Sequence, residues 1–250
     1  MIEIKSITSG YGKKNIINNL SITFNKGKLT SIIGPNGSGK STLLKTILGI
    51  AAPTSGRVII DSTDISSLSR NSLAKKISYL PQGRDTPQMT VMQLVLHGRF
   101  PYLKYPRIYA NNDKEIAYRA MERVGISGLA DESLSSLSGG MRQNAYIAMA
   151  LAQDTDYILL DEPASYLDIS HQIELMKILR SLADEGKGIV SVMHDLPMAF
   201  TFSDDIVVID KGCAAFIGSP DDVCKSGIIS DIFGAAVHYE RGKYCYEFQT

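Results

Sequence analysis

A glycine-rich string, Gly34 to Ser41, constrains the fold more than any other feature of this sequence. Its letters, GPNGSGKS, fit the pattern G-x-x-x-x-G-K-[ST]. The string follows a short β-branched run, Thr30–Ile33, and precedes apolar residues at helical spacing in Ser41–Ile50. A strand that leads through such a loop into a helix is the context in which this pattern binds phosphate.

The chemistry of the loop explains its composition. Glycines let backbone N–H groups surround an anion, and the helix N-terminus directs further N–H groups at the same phosphates. A lysine supplies a positive charge to the β- and γ-phosphates, and a serine hydroxyl can ligate Mg²⁺. The alternative, an ordinary glycine-rich turn, fits this spacing less well. The residues predicted to bind a nucleotide are Gly34, Pro35, Asn36, Gly37, Ser38, Gly39, Lys40 and Ser41.

Two adjacent acids form a second candidate site. Asp161 and Glu162 directly follow an apolar run, Tyr157–Leu160, which predicts a strand of a parallel sheet. Ligands bind at the carboxyl ends of such strands. We expect Asp161 to hold Mg²⁺ through water and Glu162 to polarise an attacking water. Acids that merely cap a strand before a turn are the alternative, which the phosphate loop makes less favoured.

A serine and two glycines precede the helix that leads to these acids. Ser138 is a good helix N-cap, and Gly139 and Gly140 expose backbone N–H groups, so the segment predicts a second anion site. Alone, it could be an ordinary cap. With Leu137 it reads L-S-G-G, and here the chain resembles the nucleotide-binding subunit of ABC transporters, for which this string is the signature.

The resemblance extends over at least Ile2 to Val223 and implies further site residues. Tyr11 matches the aromatic residue that stacks on adenine, although a core tyrosine is the alternative. Gln82 matches the glutamine that contacts Mg²⁺ and water and senses the permease, although it could be an ordinary loop residue. His194 matches the switch histidine at the γ-phosphate; a lone histidine there would otherwise be structural. The match to the phosphate loop runs on to Thr42.

The resemblance also implies the roles of the acids and of a second copy. Asp161 and Glu162 match the Walker B aspartate and the catalytic glutamate, and the segment Ser165–Asp168 matches the loop that crosses the dimer interface. Two copies would bind head to tail, each ATP lying between the phosphate loop of one copy and the signature of the other. The implied cofactors are ATP and Mg²⁺, with the metal held by Ser41, Gln82 and Asp161. The implied activity is ATP hydrolysis coupled to transport.

The expected fold is of the α/β class. It consists of a P-loop NTPase core with a mostly parallel sheet, an N-terminal antiparallel β sub-domain and an inserted α-helical sub-domain. We expect a single ABC ATPase domain over 1–250. Within it, 1–82 and 138–225 form the RecA-like core with the antiparallel strands, 83–137 forms the helical sub-domain, and 226–250 is a C-terminal extension.

Two segments indicate the type of transporter. His97–Tyr102 and Glu162–Leu175 resemble importers of ferric siderophores, haem and cobalamin, and molybdate importers are close relatives. The resemblance implies that the chain powers uptake through separate permease subunits, with an external substrate-binding protein as an indirect partner. Import of molybdate or another metal complex remains an alternative, as does an ABC ATPase that transports nothing.

Composition excludes other partners and places the chain. Lys and Arg together number 26, and Asp and Glu together also number 26, so the formal net charge is zero. The chain therefore lacks the excess of positive charge that is typical of a nucleic-acid-binding protein. A membrane span needs about 20 mostly apolar residues, which the sequence lacks. Its N-terminus, MIEIK, is charged and does not predict a signal peptide. We therefore expect a soluble protein in a reducing compartment, with Cys213, Cys224 and Cys245 as free buried thiols. The resemblance implies that it lies at the cytoplasmic face of the membrane as a peripheral protein, held there through the permease.

Three rival classes fit less well. DNA-repair and chromosome ABC ATPases carry a long coiled coil between the two nucleotide motifs, and the sequence between Lys40 and Asp161 has no sustained heptads. Ribosomal ABC proteins have two cassettes in one chain, whereas this sequence has a single set of nucleotide motifs. An unrelated P-loop kinase would not combine the L-S-G-G string with Gln82 and His194. A nucleotide-binding regulator is disfavoured because Glu162 is present.

The signature region departs from the family pattern at two positions. Met141 stands where Gln or Glu is usual, and Asn144 stands where Arg is frequent. A thioether cannot replace the polar contacts of Gln or Glu. Because the N–H groups of the signature loop are unaffected, we expect these changes to alter the contact with the second copy or the permease rather than the chemistry.

Overall fold

The computed structural model describes residues 1–12, 14–83, 86–165, 167–240 and 243–248. The chain divides into two compact units. The first comprises Met1–Leu68 and Leu179–Thr250, and the second comprises Ser69–Ile178. The second unit is therefore inserted into the sequence of the first.

Strands and helices alternate through most of the chain. The strands are β1 (Ile2–Tyr11), β2 (Lys14–Phe24), β3 (Leu29–Ile33), β4 (Pro53–Ile60), β5 (Thr63–Asp64), β6 (Ile77–Leu80), β7 (Tyr157–Asp161), β8 (Gly188–Val192), β9 (Asp205–Asp210), β10 (Cys213–Gly218), β11 (Ala235–Glu240) and β12 (Lys243–Phe248). The α-helices are α1 (Lys40–Ile47), α2 (Arg70–Ala74), α3 (Val91–His97), α4 (Asn111–Arg123), α5 (Gly139–Ala152), α6 (Ile169–Asp184), α7 (Leu196–Phe202), α8 (Pro220–Ser226) and α9 (Ile228–Phe233).

An antiparallel sheet in the first unit has the strand order β2-β1-β4-β5. Apolar residues at every second position predict strands over Ile2–Ile7 and Leu20–Phe24, which are shorter than β1 and β2. The period-two pattern is interrupted where Ser6 has a φ of 50° and Asn19 a φ of 46°, at register shifts between β1 and β2. Such bulges displace the apolar residues from strict alternation. The strands consequently continue beyond the points where the sequence pattern breaks.

The first unit also contains the parallel strands that carry the phosphate loop. β3 pairs in parallel with both β8 and β9, and β9 and β10 form an antiparallel hairpin. All residues of β3 and β8 are buried, as expected for strands covered on both faces. The predicted α/β class, with parallel strands and an antiparallel N-terminal sheet, is confirmed.

The second unit combines a parallel strand pair with helices. β6 pairs with β7 in parallel, and α3 and α4 pack against α5. α3 and α5 approach closely at Gly98, where a Cβ would lie 2.2 Å from the carbonyl oxygen of Met149. α3 and α4 lie within 83–137, and the boundaries of the helical sub-domain stay a prediction.

A buried ion pair connects the helices of the second unit. Arg99 is 6% exposed and Asp113 is 8% exposed, and Nε of Arg99 lies 3.1 Å from Oδ1 of Asp113. Nη1 of Arg99 also donates to the carbonyl oxygen of Ala152 at the end of α5. The second carboxylate oxygen of Asp113 accepts the N–H of Ala110 at the start of α4. The pair thereby joins the residues after α3 to the ends of α4 and α5.

The C-terminal residues, which the sequence pattern left unplaced, form a hairpin. β11 pairs with β12 in antiparallel orientation. Tyr244 and Tyr246 of β12 pack edge-on against Phe200 of α7, at centroid distances of 5.1 and 6.1 Å. The hairpin is thus held by contacts distant in sequence, which no local pattern encodes.

The three cysteines are free thiols, but the prediction that they are buried was wrong. Cys213 and Cys245 are exposed, and Cys224 is half-buried. Cys213 begins β10, in which exposed positions alternate with half-buried ones, and it falls in the exposed set. The prediction relied on the apolar character of cysteine. Burial of Cys213 instead depends on its position in β10, because successive side chains of a strand point to opposite faces.

The helices of the described residues are short. The longest of them, α6, has 16 residues. None of the helices in these residues has the combination of length and apolar character that a membrane-crossing helix requires.

Candidate active site

The loop after β3 is anchored to the turn between β9 and β10. The N–H of Gly212 donates to the carbonyl oxygen of Ser38 at 3.0 Å. A Cβ on Gly34 would lie 2.1 Å from the carbonyl oxygen of Ile209 and 2.8 Å from Oγ of Ser38. Only glycine fits at position 34 without a shift of the loop or of β9.

The start of α1 has the features of a phosphate site. Gly39 precedes the helix with a φ of 109°, which glycine tolerates far better than other residues. Lys40 is 6% exposed, and its ammonium donates to the carbonyl oxygens of Gly34 and Pro35 at 2.8 and 2.9 Å. Oγ of Ser38 is buried and has no hydrogen-bond partner among the described residues. A buried ammonium and an unsatisfied hydroxyl beside a helix N-terminus suit phosphate oxygens.

Several other predicted site residues also belong to the first unit. β3 and β8 are parallel, so their carboxyl ends, followed by the phosphate loop and by His194, share one edge. His194 is exposed, Ser41 is half-buried and Thr42 is buried. Tyr11 ends β1 and is 53% exposed, which excludes a core tyrosine. Its ring is open to stacking on a base.

The paired acids of the second unit lie at the end of β7. Asp161 is the last residue of the strand and is 2% exposed, and Oδ2 accepts a hydrogen bond from the hydroxyl of Tyr79 at 3.4 Å. Glu162 follows with a φ of 51°, a left-handed conformation that non-glycine residues rarely adopt. Such strain concentrates at functional sites because the surrounding structure must maintain it.

The carboxylate of Glu162 accepts hydrogen bonds from side chains of the same unit. Nε2 of Gln82 donates to Oε2 of Glu162 at 2.6 Å, and the hydroxyl of Ser165 donates to the same oxygen at 3.2 Å. Gln82 follows β6, which is parallel to β7, so both side chains leave the same sheet edge. The structure thus brings together the predicted glutamine and the predicted catalytic glutamate.

The signature segment begins α5 as predicted. The hydroxyl of Ser138 accepts the N–H of Met141 at 3.3 Å, which confirms Ser138 as the N-cap. Ser138 and Gly139 are exposed, and Gly140 is half-buried. A cleft of about 260 Å³ is lined by residues from this helix start and from the acidic site, including Gln82, Gly139, Arg142, Gln143, Glu162 and Ser165.

The two unusual residues of the signature helix differ in their surroundings. Met141 is 45% exposed and can face a partner. Nδ2 of Asn144 donates to the carbonyl oxygen of Val124 at 3.0 Å, directly after α4. Asn144 thus supplies a hydrogen-bond donor to a carbonyl oxygen at the end of a helix. This contact gives the asparagine at this position a structural role.

The loop after Glu162 ends in a strongly stabilised carboxylate. Asp168 is exposed and accepts hydrogen bonds from the N–H of His171 and from the hydroxyl of Ser170. Together with the ring of His171, these donors hold the pKa of Asp168 well below its usual range. Asp168 is therefore ionised at neutral pH. Tyr166, in the same predicted loop, lies outside the described residues.

The predicted site residues divide between the two units. Those of the first unit are Tyr11, Gly34, Pro35, Asn36, Gly37, Ser38, Gly39, Lys40, Ser41, Thr42 and His194; those of the second are Gln82, Ser138, Gly139, Gly140, Asp161, Glu162 and Asp168. Sequence reasoning gave no role to Tyr79 or His171, because Tyr79 contacts Asp161 and the ring of His171 lies against Gly140, each in a separate segment of the chain.

The predicted Mg²⁺ ligands are oxygen donors. Over the parts of the chain that the structure describes, no group of three or more His, Cys, Asp or Glu could hold a metal ion. The predicted set, Ser41, Gln82 and Asp161, instead combines one carboxylate with a hydroxyl and an amide. Mg²⁺ prefers such ligands, is typically bound through one or two carboxylates plus substrate phosphates and keeps several waters. The chemistry of these residues therefore fits Mg²⁺.

Comparison with known proteins decides the family. The profile of the ABC transporter family matches residues 17–165, which include the phosphate loop, the signature and both acids. The chain belongs to the ABC transporter family. The prediction of an ABC ATPase is thereby confirmed.

Among curated proteins, several similar relatives are named as ATP-binding proteins of import or transport systems. The petrobactin import ATP-binding protein FpuD of Bacillus anthracis is 41% identical over 93% of this chain and 86% of its own length. The ferric enterobactin transport ATP-binding protein FepC of Escherichia coli is 39% identical over 92% of this chain and 86% of its own. The iron(3+)-hydroxamate import ATP-binding protein FhuC of Bacillus subtilis is 39% identical over 90% of this chain and 84% of its own length.

Solved ABC structures share the fold. The ATP-binding cassette MJ0796, in a dimer bound to ADP and phosphate, has a TM-score of 0.76 and 28% identity, and covers 88% of this chain and 99% of its own. A transporter described as metal-chelate type, in an inward-facing conformation, has a TM-score of 0.83 and 25% identity, and covers 98% and 95%. The expected ABC ATPase fold is therefore confirmed.

Proposed function

We propose that this chain is the ATP-binding and ATP-hydrolysing subunit of an importer for a ferric siderophore or a similar iron chelate. The observation that carries the ATPase function is the position of Glu162, directly after the buried Asp161 and 2.6 Å from the amide of Gln82. Support for the iron chelate comes from relatives about 40% identical over most of the chain, each named for siderophore or iron import.

Nucleotide binding would rest on the phosphate loop. The amides of Gly37 to Lys40 and the N-terminus of α1 offer donors for phosphate oxygens. The ammonium of Lys40 now donates to two carbonyl oxygens of its own loop and would exchange them for the β- and γ-phosphates. The hydroxyl of Ser38 would gain a partner. Tyr11 offers an exposed ring on which adenine can stack.

Hydrolysis would depend on three side chains. Glu162 accepts a proton from the attacking water as a general base, Gln82 orients that water, and His194 contacts the γ-phosphate. Ser41, Gln82 and Asp161 would hold Mg²⁺, which when bound neutralises charge on the phosphates. The hydrogen bond from Gln82 holds the carboxylate of Glu162 in one orientation.

A second copy would complete each site. We infer that Ser138, Gly139, Gly140 and Asp168 contact the nucleotide bound by the partner, because all four lie on exposed or half-buried segments of the second unit. Support comes from the dimer that MJ0796 forms with ADP and phosphate. The chain would work at the cytoplasmic face of the membrane with permease subunits, and indirectly with a substrate-binding protein.

Uptake of a ferric siderophore tests the proposal. Cells in which Glu162→Gln replaces the native chain should lose uptake of radioactive iron supplied as a siderophore complex. Cells carrying Glu174→Gln, an exposed residue of α6, serve as the matched control and should take it up normally. Native uptake by the Glu162→Gln cells, when the purified native chain hydrolyses ATP and purified Glu162→Gln does not, would refute the iron-chelate assignment and leave the ATPase assignment standing.

A further inference from the structure

The first turn of α6 links a histidine to the loop that precedes it. Both Nδ1 of His171 and the backbone N–H of the same residue contact the carboxylate of Asp168, at 2.8 and 3.0 Å. Nδ1 is equally close to the second carboxylate oxygen. The ring is therefore fixed in one orientation relative to Asp168, although that aspartate is exposed.

The other side of the same ring lies against the signature segment. A Cβ on Gly140 would lie 2.9 Å from Cδ2, 3.1 Å from Nε2 and 3.3 Å from Cγ of His171. The ring thus occupies the space that any side chain at position 140 would need. By contrast, a Cβ at the neighbouring Gly139 would meet nothing within 4 Å. Contact with His171 is a specific reason for glycine at position 140.

We propose that His171 is a positioning residue that fixes Asp168 and Gly140 relative to each other for contact with the nucleotide site of a second copy. This inference rests on the proposed function, in which Asp168 and Gly140 face the partner. His171 itself need not touch the nucleotide. It bridges two segments separated in sequence, so that both can be presented to the partner in one arrangement.

The physical basis is pre-organisation. An exposed aspartate without a fixed donor samples several rotamers, and ordering it on association costs free energy. The ring of His171 holds Asp168 in one rotamer before the partner arrives. Truncation of the ring would leave the backbone N–H donor but lose the orientation of Asp168 and the support beneath Gly140.

Steady-state ATP hydrolysis provides the first measurement. His171→Ala should lower kcat about tenfold and change KM for ATP less than about twofold, because the phosphate loop still binds the nucleotide. His171→Asn places an amide near the position of Nδ1 and should restore part of the rate. Asp168→Ala should lower kcat similarly, and the His171→Ala/Asp168→Ala double variant should lose less than the product of the two single losses, because the part of the His171 effect that acts through Asp168 is already gone. His97→Ala, at an exposed histidine of α3, is the matched control.

A binding measurement separates positioning from chemistry. In a Glu162→Gln background, ATP should drive formation of a dimer, whose dissociation constant is measured by sedimentation. Adding His171→Ala should weaken that dimer about tenfold, while ATP binding by the monomer stays unchanged. The midpoint of thermal unfolding without nucleotide checks that each variant is folded. If His171→Ala unfolds, His171→Asn is compared with the native chain in its place.

The outcomes distinguish this inference from the proposed function. A native kcat and a native dimer constant for the His171 variants would overturn the positioning role, as would a double variant whose losses multiply. Equal losses in the Asn and Ala variants would overturn the contact with Asp168 as its basis. If the native chain does not hydrolyse ATP, and ATP does not drive formation of a dimer, the proposed function fails. The inference then fails with it.

Discussion

Removal of the carboxylate from the buried ion pair of the second unit should destabilise the protein strongly. Asp113→Ala would leave the guanidinium of Arg99, which is 6% exposed, without its counter-charge. Breaking a buried pair from one side costs about 3–5 kcal/mol, because the remaining charge stays out of water. The N–H of Ala110 at the start of α4 also loses its acceptor.

Thermal unfolding measures this effect. In a chain of this size 1 kcal/mol shifts the melting temperature by about 2–4 °C, so we expect a decrease of roughly 6–20 °C. Asp131→Ala, an exposed aspartate of the same unit, is the control and should change the free energy of unfolding by less than about 0.5 kcal/mol.

A double variant tests the reasoning itself. Arg99→Met removes the charge that Asp113→Ala would leave unpaired, so Arg99→Met/Asp113→Ala should be less destabilised than the sum of the single variants by about 1–3 kcal/mol. A loss below about 1 kcal/mol for Asp113→Ala, or strictly additive losses, would refute a structural role for the buried pair.

Two further predictions follow from local geometry. Gly34→Ala should weaken ATP binding about tenfold or more, measured by calorimetry, because its Cβ would lie 2.1 Å from the carbonyl oxygen of Ile209. Gly128→Ala, where a Cβ meets nothing within 4 Å, should bind normally, and equal affinities for both variants would contradict the argument. Burial raises the pKa of the Cys224 thiol, so iodoacetamide at pH 8 should alkylate it about tenfold more slowly than the exposed Cys213, and faster as pH rises. Equal rates in a mass-spectrometric time course would contradict that pKa shift.

The sequence predicted the parts of the fold that local chemistry specifies. The phosphate loop, the run of β7 and the N-cap Ser138 each depend on residues within one short segment, and each lies where the pattern places it. The edges of the antiparallel sheet were less predictable. At Ser6 and Asn19 a left-handed backbone conformation shifts the register, and residue type alone does not reveal where a strand bulges.

Contacts between distant segments explain the remaining differences. The hairpin of β11 and β12 is held by aromatic contacts with Phe200, and the ring of His171 meets Gly140 from a different helix. Neither of these contacts can be predicted from the spacing of apolar residues along the sequence. The position of Asp161 at the end of a buried strand was predictable from the apolar run that precedes it, whereas nothing in the sequence around His171 predicts its contact with Gly140.

The rate of phosphate release from Mg²⁺-ATP tests the central proposal most directly. Glu162 is the side chain assigned to activate water, and a general base contributes about 10²–10⁴-fold to a rate. The purified native chain should hydrolyse ATP, Glu162→Gln should be at least about 100-fold slower while still binding ATP, and Glu174→Gln should match the native rate. A Glu162→Gln variant that releases phosphate at the native rate would contradict the assignment of this site.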